Sequence, residues 1–405
     1  MKVCFYIDSL NNTETENLNI FFEYLMVNSN LVPLLIFENN NLKDFFFNNA
    51  FPNLNLEYEC FSKFNNLESF INDFLLFKKI KKIVYFNGTC QVYYPVKILE
   101  ISTLIKEKNI DFLWINNTFL KGRFSIFEDL YFYSSKLYID YKKILTNKYY
   151  LKKTKQLDNF INQYWRYKNY THYMGDFKKK RTLKDFFKRK NFINLLNRII
   201  FKNKIIRHKL PYHNKNKIVL ILLCNKNHWF NSYANSKIEI EKLISEIENR
   251  IPQPYYLYFK AHPKDSIPLW ALRRLKQKRS YMYEGYLIEA IKFSEIIIFT
   301  GTTSGFEAMT LRKKIIHIGK NSYISNINGP VKILNNIENL KNIFEEVIDN
   351  KTPLAQINSY LLSLIKNSYP QMNTHKDSFQ NRGEYFIKKV ARILITFIEN
   401  KNIKN

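Results

Sequence analysis

The chain alternates between short apolar runs and longer stretches in which apolar residues recur with the period of a helix. The run "KVCFYID" is typical of a buried strand, and "TENLNIFFEYLMVNS" after it has the helical period. A second apolar run, "LVPLLIFE", comes next. The pattern therefore predicts a strand–helix–strand unit at the start of the chain.

The same alternation continues through both halves of the chain. The first half adds the helix "FNNLESFINDFLLFKKI", the strand "KKIVYFNG", the helix "YYPVKILEISTLIKEKN" and the strand "IDFLWINN". The second half contains the strands "KIVLILLCN", "YYLYFKAHP", "EIIIFTG" and "IIHIG", separated by the helices "SKIEIEKLISEIENR", "YLIEAIKFS" and "FEAMTLRKK". Strands that alternate with helices predict a parallel sheet covered by helices on both faces.

The alternation pauses over residues 145–215, a basic stretch rich in aromatic residues. The sequence therefore predicts an α/β protein with two Rossmann-like domains, each built on a parallel sheet, joined by a basic helical segment. The predicted divisions are an amino-terminal domain over 1–145, a connecting segment over 146–215, a carboxyl-terminal domain over 216–350, and helices over 351–405 that pack back across both domains.

Composition supports globular folding and offers no sign of a metal centre. The chain has 405 residues with 46% apolar content, which is enough for two domains. Its cysteines are far apart and form no CxxC pair: Cys4, Cys60, Cys90 and Cys224. We therefore expect a reducing compartment, no metal and no cofactor. We also expect no signal peptide and no membrane span, because no apolar run approaches the roughly 18 residues that a span needs.

The net charge of +28 points to an anionic partner. Between Lys178 and Lys209 there are thirteen Lys and Arg residues against one acid, Asp185. Such a segment is either a solvated loop or a surface that lies on an anionic membrane. The cations assigned to that membrane surface are Lys178, Lys179, Lys180, Arg181, Lys188, Arg189 and Lys190.

A possible phosphate site follows the strand "YYLYFK". Lys260, His262 and Pro263 come at the carboxyl end of this strand, where open α/β sheets bind their ligands. Pro263 ends the strand, so that His262 is free to point towards a ligand, and Lys260 carries a positive charge. The alternative is that His262 only caps the strand by bonding to the backbone.

The turn "TGTTSG" comes one predicted strand further along. Ser304 and Glu307 have the spacing of a capping box at a helix start, which alone explains both residues. Thr302, Thr303 and the exposed amides of the helix start also suit an anion. The glycines Gly301 and Gly305 would let a phosphate approach the backbone closely.

The segments "FKAHPKD" and "FTGTTSGFEAMTLRKKIIHIG" together resemble the capsule polysaccharide synthesis family of bacterial glycosyltransferases. These enzymes are Kdo transferases that build the lipid linker of exported capsules. The resemblance extends to "FNGTCQVYYPVKILE" and "INNTFLKGRFSIFE" in the first half, where Leu120, Ile126 and Glu128 keep the family frame. It implies a GT-B architecture with the donor held by the carboxyl-terminal half.

The chain departs from the family at its acidic positions. Thr89 replaces the family's aspartate, and Asn116 and Asn117 replace its paired glutamates. An amide forms hydrogen bonds but does not act as a general base or a carboxylate nucleophile. The resemblance still assigns the catalytic positions to Glu128, Asn116 and Asn117. Four acids are candidates for the chemistry, namely Asp265, Glu284, Glu289 and Glu128. Glu128 is the favoured one because it alone keeps the family's position. The alternative is that Glu128 is a surface residue at a helix start.

The resemblance implies transfer of an acidic, Kdo-like sugar from a CMP-activated donor to a membrane lipid or lipid-linked acceptor. Lys260, His262, Thr302 and Thr303 would hold the donor phosphate. We expect a cytoplasmic protein peripheral to the inner face of the cell membrane, with other capsule-assembly proteins as further partners.

Two other functions remain open. The asparagine replacements favour a catalytically silent subunit of a capsule-assembly complex. The charge favours a nucleic-acid binder, but the basic run has no RNP-type aromatic motif, zinc spacing or helix-turn-helix, so we expect no nucleic-acid partner.

Overall fold

The chain forms two compact units in the computed structural model. The first combines residues 1–134 with 367–405, and the second comprises residues 135–366. The structure describes residues 1–7, 12–49, 56–87, 96–117, 123–127, 142–146, 157–162, 164–165, 196–206, 217–223, 240–261, 269–300, 304–319, 330–367, 369–370 and 382–399.

A sheet of seven strands forms the centre of the first unit. The strands, numbered along the chain, are β1 (Lys2–Ile7), β2 (Val32–Phe37), β3 (Glu57–Cys60), β4 (Lys82–Asn87), β5 (Asp111–Asn117), β6 (Arg123–Phe127) and β14 (Tyr369–Pro370). Their order is β14-β6-β5-β4-β1-β2-β3. Strands β1 to β5 are parallel, whereas β6 is antiparallel to β5 and β14 is antiparallel to β6.

Helices cover both faces of this sheet. They are α1 (Asn12–Asn28), α2 (Asn40–Asn49), α3 (Leu67–Ser69, continued by the π-helical Phe70–Leu76), α4 (Val96–Glu107) and α11 (Arg382–Glu399). Successive side chains of β1 point to opposite faces: the Phe5 ring contacts Phe22 of α1 at 5.0 Å, and Tyr6 contacts Phe61 at 6.1 Å. Val390 and Leu394 of α11 are fully buried in the same cluster as Phe5.

The second unit contains another sheet of seven strands, all of them parallel. The strands are β7 (Ile205–Ile206), β8 (Ile218–Leu222), β9 (Tyr256–Lys260), β10 (Ser280–Tyr283), β11 (Ile296–Phe299), β12 (Lys314–Ile318) and β13 (Lys332–Leu334). Their order is β13-β12-β11-β8-β9-β10-β7. Strands β8 to β13 therefore follow the 3-2-1-4-5-6 order of dinucleotide-binding sheets, with β7 added at one edge.

Among the described residues of the second unit, the longer helices are α5 (Ile240–Arg250), α6 (Leu269–Arg274), α7 (Leu287–Phe293), α8 (Ser304–Thr310), α9 (Leu340–Asp349) and α10 (Leu354–Lys366). One face of the sheet packs Ile221 and Ile298 in a buried cluster with Leu243 of α5 and Phe344 of α9. On α8, the Phe306 ring stacks on Tyr360 of α10 with the ring centroids 5.9 Å apart.

A polar network closes the amino-terminal edge of the second sheet. The Arg279 guanidinium, just before β10, donates to the backbone carbonyls of Glu248, Ile251, Pro252 and Tyr255 at 2.6–3.0 Å. The buried Glu248 carboxylate accepts the amides of the residues that precede Arg279, at 3.3 Å. These contacts join the end of α5 to the start of β10, so they hold the strands in place.

The prediction of two Rossmann-like α/β domains with parallel sheets is confirmed. The units divide after residues 134 and 366, whereas the sequence predicts divisions after residues 145, 215 and 350. Of the helices predicted over 351–405, α10 belongs to the second unit and α11 to the first. The described part of the chain has no helix with both the length and the apolar content that crossing a bilayer demands.

Candidate functional site

The strand order of the second sheet defines where a ligand would bind. The chain builds outwards from β8 in one direction through β9 and β10, and then returns to add β11 on the other side of β8. In doubly wound sheets this reversal opens a crevice at the carboxyl ends of the two central strands, and ligands occupy it. The carboxyl ends of β8 and β11 lie together here, since Leu222 pairs with Phe299.

The turn after β11 begins with a contact across this reversal point. Thr300 is fully buried, and both its amide and its hydroxyl donate to the Leu222 carbonyl at 3.3 Å. The end of β11 is therefore fixed to the end of β8. The predicted site residues Gly301, Thr302 and Thr303 follow immediately, and they lie outside the described residues.

Gly305, in the first turn of α8, has a packing role in addition to the close approach of a phosphate that the sequence predicts. A Cβ atom on Gly305 would lie 2.5 Å from Cζ of the Phe299 ring. Only a glycine lets the start of α8 approach β11 this closely. The Phe299 ring in turn packs on His317. Burial lowers the pKa of His317 to about 3, so this imidazole is uncharged at neutral pH.

Glu307 is buried on α8 and receives a contact from a distant part of the chain. Its Oε1 accepts a hydrogen bond from the Tyr164 hydroxyl at 3.3 Å, and the Trp165 indole donates to Thr310 Oγ1 at 3.0 Å. Nearby, Arg312 forms an ion pair with Asp158. Tyr164 and Trp165 therefore hold α8 in place, and Asp158 holds the residues that follow it, contacts that the sequence does not predict.

Lys260 lies at the carboxyl end of β9, as predicted. Its ammonium donates to the Gly285 carbonyl at 2.8 Å and lies 5.5 Å from the centre of the Tyr283 ring. Burial lowers the pKa of Lys260 to about 8, while the nearby Glu284 carboxylate acts in the opposite direction. A partly desolvated ammonium at this edge is suited to hold a phosphate or a carboxylate.

Residues at the end of β10 and directly after it contact this lysine. A Cβ atom on Gly285 would lie 2.0 Å from the Tyr283 hydroxyl, so a side chain there would displace the ring beside Lys260. Glu284 receives both Nε and an Nη atom of Arg198 at 2.9–3.2 Å. Because Arg198 neutralises the Glu284 carboxylate, Glu284 is better suited to hold Arg198 in place than to act as a general base.

The structure describes some of the predicted site residues and not others. Lys260, Ser304, Gly305 and Glu307 are described, and Ser304 is the first residue of α8. Asn116 and Asn117 are the last residues of β5, where they pair with Ser125 and Phe124 of β6. The others lie outside the described residues: Glu128, His262, Pro263, Gly301, Thr302, Thr303, Lys178, Lys179, Lys180, Arg181, Lys188, Arg189 and Lys190.

Comparisons with known proteins give likeness of fold. No protein-family model and no curated protein matches the chain. Among solved structures it is similar to the KpsC β-Kdo 2,7-transferase of Thermosulfurimonas dismutans, with 10% identity, a TM-score of 0.48 and coverage of 97% of this chain and 100% of that chain.

A glycosyltransferase from Rickettsia africae has 13% identity, a TM-score of 0.35 and 99% coverage of each chain. The UDP-GlcNAc 2-epimerase of Neisseria meningitidis, solved with UDP-GlcNAc, has 12% identity, a TM-score of 0.32 and coverage of 99% of this chain and 100% of that chain. At these identities the likenesses concern the fold alone and assign the chain to no family.

Proposed function

We propose that this chain is a GT-B-type glycosyltransferase that transfers an acidic, Kdo-like sugar from a CMP-activated donor to a membrane lipid or lipid-linked acceptor. The observation that carries the proposal is the position of Lys260. Its partly buried ammonium lies at the carboxyl end of β9, next to the reversal point between β8 and β11. A nucleotide sugar is the ligand class that combines a phosphate for such a cation with the size to span several strand ends.

In this proposal the donor phosphate is bound by Lys260 and His262, with Thr302 and Thr303 contributing hydroxyl groups. Gly305 and Glu307 are buried in α8, which begins directly after these two threonines in the sequence. The identity of the sugar follows from the resemblance of "FKAHPKD" and "FTGTTSGFEAMTLRKKIIHIG" to capsule Kdo transferases. Glu128 is the proposed general base, with Asn116 and Asn117 as hydrogen-bonding positions near the acceptor.

The first experiment is a thermal-shift panel with CMP, UMP, UDP, GDP and ADP on the full chain. A ligand that binds only the native state raises its melting temperature with occupancy. We expect CMP to give the largest shift and Lys260→Met to abolish it. The matched control is Lys313→Met, because Lys313 is also a partly buried lysine bonded to backbone carbonyls, but at the opposite edge of the same sheet. A shift with none of the nucleotides, or a CMP shift that survives in Lys260→Met, would contradict the proposal.

A catalytically silent assembly subunit is the second candidate, favoured by Asn116 and Asn117 at the end of β5. Both candidates bind the nucleotide, so a turnover assay separates them. Release of CMP from CMP-Kdo in the presence of lipid acceptor indicates the transferase. Binding of CMP without release indicates the silent subunit.

A further inference from the structure

The helical turn at residues 196–200 places its apolar side chains towards solvent. Leu196, Ile199 and Ile200 are 41%, 64% and 67% exposed. Their spacing puts all three on one face of the helix. Asn197 is only 4% exposed, so a polar residue is inside and the apolar residues are outside. This is the reverse of the usual arrangement for a helix on a globular protein.

Contacts on the inner side determine which face is outward. Arg198 binds the Glu284 carboxylate through two nitrogen atoms at 2.9–3.2 Å. Phe201 packs against the buried cluster of the second unit, and the Lys204 ammonium donates to the Gln277 carbonyl at 2.7 Å. These anchors precede and follow the two exposed isoleucines. The apolar face therefore stays in water unless another surface covers it.

The charge around the turn indicates what that surface is. Lys202 is exposed directly after the turn, and the preceding sequence from 178 to 190 carries eight basic residues against one acid, Asp185. A contiguous apolar patch with basic surroundings marks an interaction site. Aliphatic side chains beside lysines match the boundary of an anionic bilayer, where the apolar groups enter the acyl region and the cations contact the headgroups.

We propose that residues 196–202 form a membrane-docking turn, in which Leu196, Ile199 and Ile200 enter the headgroup boundary of an anionic bilayer. The turn is joined to the candidate site through Arg198, which binds Glu284, the neighbour of the Gly285 carbonyl that accepts from Lys260. Docking therefore brings the proposed donor site close to lipid. The use of this closeness for sugar transfer rests on the proposed function, whereas the docking itself does not.

The test measures binding of the full chain to vesicles by co-sedimentation, with phosphatidylglycerol mixed into phosphatidylcholine or with phosphatidylcholine alone. We expect binding to the anionic vesicles only, weakening as salt rises. The double variant Ile199→Gln with Ile200→Gln should bind them about tenfold more weakly or worse, because two aliphatic groups no longer enter the bilayer. The matched control is Val27→Gln with Leu354→Gln, which removes two exposed aliphatic side chains elsewhere, 79% and 47% exposed, and should bind like the unmodified chain.

A second variant adds a fluorescence signal to the loss of vesicle binding expected for the glutamine variant. Ile199→Trp should keep the binding, and the emission of its indole should shift to the blue on anionic vesicles, because Trp suits the membrane interface. Equal binding of the glutamine variant and the unmodified chain would overturn the proposal. So would an unmodified chain that ignores anionic vesicles, or one that dimerises in solution through this face and becomes monomeric in the variant. Loss of the CMP shift with intact vesicle binding would instead contradict the proposed function alone.

Discussion

At the amino-terminal edge of the second sheet the Arg279 guanidinium donates to four backbone carbonyls. At the carboxyl-terminal edge the Lys260 ammonium donates, among the described residues, to the Gly285 carbonyl alone. An ammonium has three N–H donors, so Lys260 keeps capacity for a ligand that Arg279 has already used within the chain. A partly buried cation is therefore a candidate ligand-binding residue only where some of its donors are not used within the chain.

The largest expected effect on stability is at the amino-terminal edge, where Arg279 donates to four carbonyls. Arg279→Met removes four charged hydrogen bonds to carbonyls at the end of α5 and the start of β9. We expect the free energy of unfolding to fall by about 3 kcal/mol, because the carbonyls lose a charged donor inside the protein. Urea denaturation measures this loss. The CMP-induced shift of the remaining folded protein should persist, and its disappearance would show that the two edges are not independent.

Gly305→Ala should have the next largest effect on the free energy of unfolding. The new methyl group would meet the Phe299 ring at 2.5 Å, so α8 or the ring has to move. Overpacking of this kind should lower the free energy of unfolding by about 2 kcal/mol. Adding Phe299→Leu should restore part of the stability in denaturant melts. If Gly305→Ala is as stable as the unmodified chain, the glycine serves the ligand rather than the helix–strand contact.

Lys313 and Lys260 are both partly buried, and replacing each by Met compares what the two ammonium groups contribute to the free energy of unfolding. Lys313 donates to the Lys292 and Ser294 carbonyls at 2.8 and 2.7 Å, and Lys313→Met should destabilise the fold by about 1 kcal/mol. Lys260→Met should change stability by less than about 0.5 kcal/mol, because relief from burying the ammonium offsets its one hydrogen bond. Paired urea titrations of the two variants decide between this order and its reverse.

The last expected effect is a dependence of stability on pH. Lys260 has a pKa of about 8 in the folded chain, below its ordinary value of 10.5. Between these two values the unfolded chain binds more protons than the folded chain, so the free energy of unfolding rises with pH in that window. The stability of the unmodified chain relative to Lys260→Met should therefore increase as pH rises above 8. Lys202→Met, at an exposed position, is the control, and a flat difference for Lys260→Met would show that its ammonium is well solvated.

The sequence predicts the strands of this site better than the contacts that complete it. Apolar runs such as "KIVLILLCN" and "EIIIFTG" locate β8 and β11, and the position of Lys260 at the end of β9 follows from the end of such a run. The short strands β10 and β13 were not predicted, because neither "SYMY" nor "KIL" forms a continuous apolar run of strand length, whereas all four residues of β11 are apolar.

Long-range partners could not be predicted for a different reason. Tyr164 lies 143 positions before Glu307, and Arg198 lies 86 positions before Glu284. No local pattern signals which buried carboxylate a tyrosine or an arginine will find across that distance. The interpretation of Gly305 as a phosphate contact did not include Phe299, since a ring six positions earlier becomes a neighbour only once α8 packs on β11.

The placement of α11 on α1 also affects how the protein is made. Val390 and Leu394 belong to the same buried cluster as Phe5, so the first unit needs residues from both ends of its chain before its core is closed. The second unit is continuous over residues 135–366 and has no such requirement. On the ribosome, the second unit therefore completes its core while the first still lacks α11, and the apolar face of α1 that α11 covers stays open until α11 has been synthesised.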